Sequence, residues 1–458
     1  MTERLTPLSA SGPPADGLVT EPERFRDVPR YLWLVFASAF LGWAFDAMDL
    51  NLLTIMLVPA MRELTGSVDP AVLAGTGGLV VALKLFAWGV GGIAFGVLTD
   101  KFGRARIMMI TVGVYAVFTA LSATATSVWE FALYQMIAGL GIGGEWAAGT
   151  ALLAETWPEK LRPKVMQLMQ MGFALGFFFA ALLNLVVGPF GWRWVFVCGV
   201  APVLITVFIR RFIREPERWS VSRARVRDAR AAAVAPAAGT GTVTSTQESA
   251  AEAARPMRRV FQPDLRRATV VGILLGIAMM VGCWGGLTWI PSWIGQLSPS
   301  PADAPASISY AFMLLNGGAV LGYLSLMWLA DQFGRRITFA FFCAGALVMS
   351  LVLFGTAASV STIMWLIPLY GFFAIGGFGI FAIYLPELFP TAVRGTGQGL
   401  AWNFARLVTG FGVLGSGLLV GALGSYPRAA AAVSVTYVVG LIAIWFGPET
   451  KGRPLRDL

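Results

Sequence analysis

Histidine is absent from the 458 residues. The side chain that ordinarily titrates near neutrality is therefore missing. Any proton this chain carries must ride on a buried carboxylate or, failing that, a buried lysine. Cysteine is scarce as well. Cys198, Cys283 and Cys343 are the three, each inside an apolar stretch, so a disulfide framework is not expected. Without histidine and with cysteines so dispersed, metal-ligand spacing is lacking. A nucleophile–base set and a phosphate-cradling loop are lacking too, so no enzyme, cofactor or metal is expected. Charge is the third shortage. Lys, Arg, Asp and Glu make up 13% of the chain, about half the share of a soluble domain.

What fills the chain is apolar: 57% of residues are hydrophobic and mean hydropathy is +0.71. Twelve apolar spans can be read, at 31–60, 71–97, 106–125, 128–155, 164–188, 192–213, 268–296, 308–330, 337–358, 362–386, 395–423 and 428–447. Each exceeds the roughly 17 residues a helix needs to cross a bilayer, where helices satisfy their own backbone. The expected fold is an all-α membrane protein with twelve transmembrane helices in two six-helix halves, 31–213 and 268–447. Between them, 214–267 is rich in Ala, Arg, Ser and Thr. It reads as a cytoplasmic linker, flexible at least from Ala231 to Ala254. Residues 1–30 read as a polar, disordered tail with no cleavable signal, and 448–458 as a second tail. The net charge of +9 raises nucleic acid as a partner, but its placement argues for the lipid bilayer instead. The outer loops hold Arg62, Arg193 and Arg428, and nearly all other Lys and Arg fall on the opposite side. That bias puts both termini in the cytoplasm of a plasma or inner membrane. A monomer is expected. Gly92 and Gly96, Gly139 and Gly143, and Gly172 and Gly176 are small-residue pairs where helices pack closely or slide.

Two charged turns interrupt the apolar runs. Gly96-Val97-Leu98-Thr99-Asp100-Lys101-Phe102-Gly103-Arg104 has a second copy in Trp328-Leu329-Ala330-Asp331-Gln332-Phe333-Gly334-Arg335. The offset from Asp100 to Asp331 is 331 − 100 = 231. Glu155, Pro158 and Arg162 recur as Glu387, Pro390 and Arg394, an offset of 387 − 155 = 232. Glu215-Pro216-Glu217 answers Gly447-Pro448-Glu449 at that same step. Three motifs repeated in order at nearly one spacing mark a duplicated unit.

The doubled set resembles the major facilitator superfamily of secondary transporters, built as two six-helix halves related by a parallel repeat. The resemblance runs from about Tyr31 to Arg453. It implies alternating access, with ion-pair networks closing the cytoplasmic side. Asp100, Arg104, Glu155, Arg162 and Glu217 are the gating candidates in the first half, and Asp331, Arg335, Glu387, Arg394 and Glu449 their counterparts. A carboxylate at a helix boundary can accept backbone N–H bonds and pair with an arginine. The plainer reading is topological retention by positive charge alone. Met327 fills the position matching Gly96, which points to a looser helix approach in the second copy. The fifth span, through Met171-Gly172-Phe173-Ala174-Leu175-Gly176-Phe177, has no proline, unlike the drug antiporters of the superfamily.

Charges within the spans each need a reason, because one at the bilayer centre costs roughly 2.5–3.5 kcal/mol even on lenient scales. Asp46 and Asp49 share a helix face in the first span, with Asp46 roughly 22 Å in from Tyr31. Lys84, about 18 Å from the charged turn, can meet either aspartate. Glu145 lies in the fourth span, within Gly143-Gly144-Glu145-Trp146. These four are the candidates for proton coupling. A fixed Asp46–Lys84 ion pair is the bland alternative. Arg406, in Asn403-Phe404-Ala405-Arg406 of the eleventh span, suits an anionic substrate, since guanidinium forks onto carboxylate. In the empty protein it could instead bridge to Glu145 or an aspartate. Asn403, Trp284, Trp289, Gln167, Gln170, Asn316 and Tyr384 are further cavity candidates, each more often ordinary packing or an interface aromatic.

Phe45-Asp46-x-x-Asp49, Gly143–Trp146, Glu155-Thr156-Trp157-Pro158 and Asn403-x-x-Arg406 resemble the metabolite, sialate and aromatic-acid proton symporters. That branch mostly moves organic carboxylates inward with protons. Gln135 departs from it where an arginine commonly stands, and Lys84 is unusual in the second helix. The expected activity is proton-coupled import of a small organic carboxylate by alternating access. A sugar or polyol symporter is the alternative. A receptor on the same scaffold would be expected to add a large soluble domain, for which the linker and tails are too plain.

Overall fold

The computed structural model describes residues 24–200, 211–234, 255–300 and 303–456. Among the described residues there is helix and no strand, as backbone groups in lipid require. The first half contains α1 (Arg30–Thr65), α2 (Pro70–Phe102), α3 (Arg104–Ser122), α4 (Val128–Thr156), α5 (Arg162–Val187) and α6 (Trp192–Cys198). Helix α7 (Glu217–Val234) follows. The second half contains α8 (Pro263–Leu287), α9 (Ile290–Leu297), α10 (Ala304–Thr356), α11 (Val360–Ala374), α12 (Gly379–Leu388), α13 (Arg394–Leu423), α14 (Tyr426–Ser434) and α15 (Thr436–Ala443).

Among the described residues these helices account for eleven of the twelve expected spans. Helix α10 holds two of them, because Gly334 breaks it at φ +83°. The pairs α8–α9, α11–α12 and α14–α15 each make one. The sixth span is described at Trp192–Cys198 and from residue 211 on, and its middle lies outside the described residues. Nine helices among the described residues are long and apolar enough to cross a membrane. The repeat is visible in the caps as well. Ser127 and Ser359 occupy matching positions in the two halves. Each accepts a hydrogen bond at 3.2 Å from a backbone N–H one turn on, that of Glu130 or Thr362, starting α4 and α11 alike.

The termini of the two halves depart from the expectation. Residues 1–23 of the tail and most of 231–254 lie outside the described residues. From Arg24 onward the chain is seated, with Phe25 packed against Trp33 and Trp157 at 5.8 and 6.3 Å. Within the expected linker, Glu217–Val234 is helical, and Pro263 rather than residue 268 opens the seventh span. Alanine and arginine favour helix, and Val226 and Ser222 are buried, so α7 has a packed face despite its polar composition.

Candidate functional site

The face bearing the doubled turns, called here the charged face, carries two clasps. In the first, Gly103 turns the chain at φ +109° between α2 and α3. Glu215 lays its carboxylate over the opening and accepts the backbone N–H groups of Arg104, Ala105 and Arg106 at 2.7, 3.2 and 3.0 Å. One anion thus serves three otherwise unpaired amides at a helix N-terminus. In the second, Gly334 makes the same turn, and Glu449 accepts from the backbone of Arg335 and Arg336 at 3.0 and 3.1 Å. Burial pushes the Glu449 carboxyl up, but backbone donors on Arg335, Lys451, Arg336 and Thr450 outweigh it and hold it below the usual range. This clasp therefore contributes fully at neutral pH and is lost as pH falls through that lowered folded value.

The sequence points to Glu217 in the first clasp; the chain uses Glu215. Glu217 is exposed in the first turn of α7. The step from clasp glycine to capping glutamate is 215 − 103 = 112 in the first half and 449 − 334 = 115 in the second. Matching the two Pro-Glu pairs therefore overshoots. Glu215→Ala is expected to lower stability by about 1–2 kcal/mol. The check is the melting temperature in detergent, where Glu217→Ala should stay within about 0.5 kcal/mol of the parent.

Behind each clasp an arginine grips a glutamate in two places. Arg104 donates to Glu155 at 3.0 and 2.8 Å, and Arg335 to Glu387 at the same distances. The symmetry ends at the seam between the halves. In the first clasp Arg394, from the opposite half, pairs with Glu155 at 2.6 Å. Arg104 donates to the Thr391 carbonyl at 2.7 Å. Asp100 caps the start of α13, accepting from Gly395 and Thr396 N–H at 3.0 and 2.7 Å. Among the described residues the motif side chains of the second clasp make no hydrogen bond or ion pair across the seam, and Arg162 and Glu387 meet only through space. Arg162, matching Arg394, lies 3.7 Å from Glu159 on its own side, and Glu387 accepts from the Thr450 hydroxyl of its own half. Asp331 takes no hydrogen bond among the described residues. It feels Arg335, Lys164 and Lys451 only through space. The cause is legible: Pro163, next after Arg162, stands where Gly395 follows Arg394 in the other half, and proline has no N–H to give. Helix α7 lies under the first clasp, with Trp219 donating to the Asp100 carbonyl at 3.1 Å.

Further hydrogen bonds cross between the halves beside each clasp. Gln398 donates to the Ala147 carbonyl at 2.7 Å and accepts from Thr150 at 3.2 Å, and Gln167 donates to the Gly379 carbonyl at 2.8 Å. Trp146 stacks on Trp402 with centroids 4.5 Å apart. The opposite face is held differently. There, Arg193 binds Glu63 at 2.9 Å and the Ala125 carbonyl at 2.9 Å, all within the first half.

The interior charges separate into two groups. Lys84 is buried and meets Asp49, not Asp46, donating at 2.6 Å, and it also donates to Gln135 at 2.8 Å. Thr119 donates to the other Asp49 oxygen at 2.6 Å, and Gln135 donates to Ser122 at 2.8 Å. Glu145 is buried in α4 with the Thr111 hydroxyl 3.5 Å away. Arg406, on α13, is part-buried with its guanidinium 3.9 Å over the Trp88 ring of α2. It donates to Asn403 at 2.6 Å and interacts with Asp46 through space. A guanidinium has five N–H donors, and one hydrogen bond is made by Arg406 among the described residues.

The remaining cavity candidates divide. Gln167 lies at the seam and Gln170 accepts from Trp146 at 3.0 Å just beside it. Asn403 packs on Gly92 of the first half. Asn316 donates back to its own helix at Phe312, and Trp289 stacks on Tyr426 at 5.3 Å. Trp284 is part-buried against the second half's core. Tyr384 does not line a cavity: it is buried and donates to the Pro448 carbonyl at 2.8 Å near the second clasp. Thr391, Gln398 and Trp402 were not singled out by sequence. A glutamine within an apolar span, as Gln398 is, was the available signal.

Two repeated halves, clasped together at one face around interior charges, define a transporter of the major facilitator superfamily. The chain belongs to the sugar (and other) transporter family, whose model matches residues 53–458. It is 30% identical over 430 residues to the probable 4-methylmuconolactone transporter of Cupriavidus pinatubonensis, covering 92% of each chain. It is 29% identical over 430 residues to the cis,cis-muconate transport protein of Acinetobacter baylyi, covering 92% of this chain and 95% of that one. Its fold matches the proton:xylose symporter XylE bound to 6-bromo-6-deoxy-D-glucose with a TM-score of 0.76 at 20% identity, covering 93% of this chain and 98% of that one.

Proposed function

We propose that this protein is a proton-coupled symporter importing a small organic carboxylate. It would sit in the plasma or inner membrane as a monomer, with the charged face and both termini cytoplasmic. The observation that carries this reading is Arg406, a permanent cation at the seam between the halves with N–H donors to spare. Stacking on Trp88 holds the guanidinium plane and leaves its edge for a carboxylate fork. The relatives named for muconate and 4-methylmuconolactone support the substrate class. The ion pair and hydrogen bonds that join the halves at the charged face support reading this as the outward-facing state. A carboxylate docking on Arg406 takes the cation from Asp46, which then draws a proton, and the neutralised carrier can reorient.

The test is uptake into proteoliposomes of benzoate, nicotinate, cis,cis-muconate, xylose and glucose, with and without an inward proton gradient. One of the acids is expected to accumulate only with the gradient. Arg406→Ala should reduce that uptake by about 30- to 5,000-fold, the range for removing one partner of a hydrogen-bonded charge pair. Uptake of a neutral sugar that survives Arg406→Ala would overturn the carboxylate reading.

A further inference from the structure

We propose that the stacked pair Trp146–Trp402 is the dry floor of the substrate site. It seals Arg406 from the charged face while that face is closed, and it parts to release what Arg406 holds. The proposal rests on the symport reading above, in which Arg406 is the anchor, and adds the barrier beneath that anchor.

Helix α13 meets the first half along one ridge of side chains. Arg394, Gln398, Trp402 and Arg406 follow one another at every fourth position, a rise of roughly 6 Å per step. Each of the four reaches across the seam. Arg394 pairs with Glu155 at 2.6 Å. Gln398 donates to the Ala147 carbonyl at 2.7 Å and accepts from the Thr150 hydroxyl at 3.2 Å. Trp402 lies on Trp146 with centroids 4.5 Å apart and planes 15° from parallel. Arg406 stands 3.9 Å over the Trp88 ring. Helix α4 supplies the facing groups of the first three rungs in descending order: Glu155, then Thr150 and Ala147, then Trp146.

The chemistry changes along this ladder. The two rungs nearest the charged face are polar, an ion pair and then amide hydrogen bonds. Water can replace either set of partners, so those rungs alone leave a wettable path. The third rung is apolar across the seam. Trp146 gives its N–H to Gln170 of its own half at 3.0 Å. The Trp402 N–H has no hydrogen-bond partner among the described residues, so ring faces alone join the two indoles. Both are buried, and Trp402 is braced within the second half by Phe378 and Phe381, with centroids 5.6 and 5.2 Å away. An apolar constriction of this kind excludes water, and with it protons. Without it the Arg406 level would be wetted from both sides, and the proton gradient would run down without moving substrate. A stack also suits a barrier that must open. Parting the rings strands no buried charge and breaks no hydrogen bond at that rung, and each indole stays braced in its own half.

The test needs no substrate. The full-length protein is sealed in proteoliposomes holding a pH-sensitive dye, an inside-negative potential is applied, and the rate of internal acidification is read. Trp402→Ala and Trp146→Ala should each raise proton entry at least about tenfold over the parent. Trp402→Phe keeps a ring over Trp146 and should leak less than about a third as fast as Trp402→Ala. Phe354→Leu is the packing control. Its ring is buried against Trp293 and Tyr370, wholly within the second half, so the melting temperature should fall without a leak. Parent-like tightness in both alanine variants, or an equal leak in Phe354→Leu, overturns the proposal. Fluorine NMR of protein labelled with fluorotryptophan keeps the question open to test if an alanine variant does not fold. The Trp146 and Trp402 resonances, assigned by substituting each with Phe, should both shift when Glu155→Gln removes the partner of Arg394. The resonance of Trp43, which packs on Phe173 of its own half at 5.1 Å, should stay in place. Stack resonances that hold still while spin labels across the charged face move apart also overturn the proposal. A failure of the carboxylate reading would show in the uptake panel and leave the proton-leak result standing.

Discussion

Glu155→Gln is expected to empty the conformation closed at the charged face. Glu155 is buried between two guanidinium groups, Arg104 of its own half and Arg394 of the other. Removing its charge takes the ion-pair partner from Arg394 in a dry seam, opposite Arg104, which keeps Asp100 at 3.2 Å. Breaking a buried pair costs about 3–5 kcal/mol, but here the cost falls on one conformer. When the halves part, Arg394 leaves and can find water, so opening relieves the strain. The closed-to-open ratio should fall by about 10²–10³, read from the distance between spin labels placed across the charged face. Glu387→Gln is the control. It removes the partner of Arg335, but that pair lies within one half, so opening brings no relief. Its melting temperature should drop while the conformer ratio changes by less than about threefold. Equal shifts in the two variants would mean that both clasps gate, against the asymmetry of their hydrogen bonds.

That asymmetry also marks how far the sequence could be read. The spans, the doubled turns and the Arg–Glu pairs follow from apolar runs and from motifs repeated in order at nearly one spacing, signals that survive without coordinates. Glu215 was hidden because the choice between two neighbouring glutamates depends on where α7 starts. The partner of Lys84 was open for a related reason. Asp46 and Asp49 share a helix face, and only the rotation of α1 against α2 selects Asp49. Tyr384 was misplaced because a tyrosine within an apolar span looks alike whether its hydroxyl meets a cavity or the Pro448 carbonyl. Met327 and Pro163, by contrast, carried the asymmetry in plain view. Each removes something its counterpart supplies: room for a backbone in one case, an N–H in the other.

Gly96→Val tests the same seam through shape rather than charge. A Cβ on Gly96 would lie 2.7 Å from the Gly395 carbonyl oxygen and 3.3 Å from the Gly399 Cα. One on Gly399 would lie 2.8 Å from the Gly92 carbonyl oxygen. The obstacles are backbone on both sides, so no flexible side chain can move aside, and α2 and α13 must separate. Separation stretches the bonds from Asp100 to Gly395 and Thr396, which depend on that approach. Overpacking costs typically about 1–3 kcal/mol, and here it is expected to fall on the closed state, because parting the halves at this face would relieve the α2–α13 approach. Uptake should therefore drop by about 10- to 100-fold, with the spin-label distance across the charged face shifted toward opening. Met327→Val, at the matching position of the other seam, should change uptake by less than about threefold, since a larger side chain is already accommodated there. If the valine at position 96 left the closed state intact, the backbone contact between α2 and α13 would not be what holds that face shut, and the Glu155–Arg394 pair would have to hold it alone.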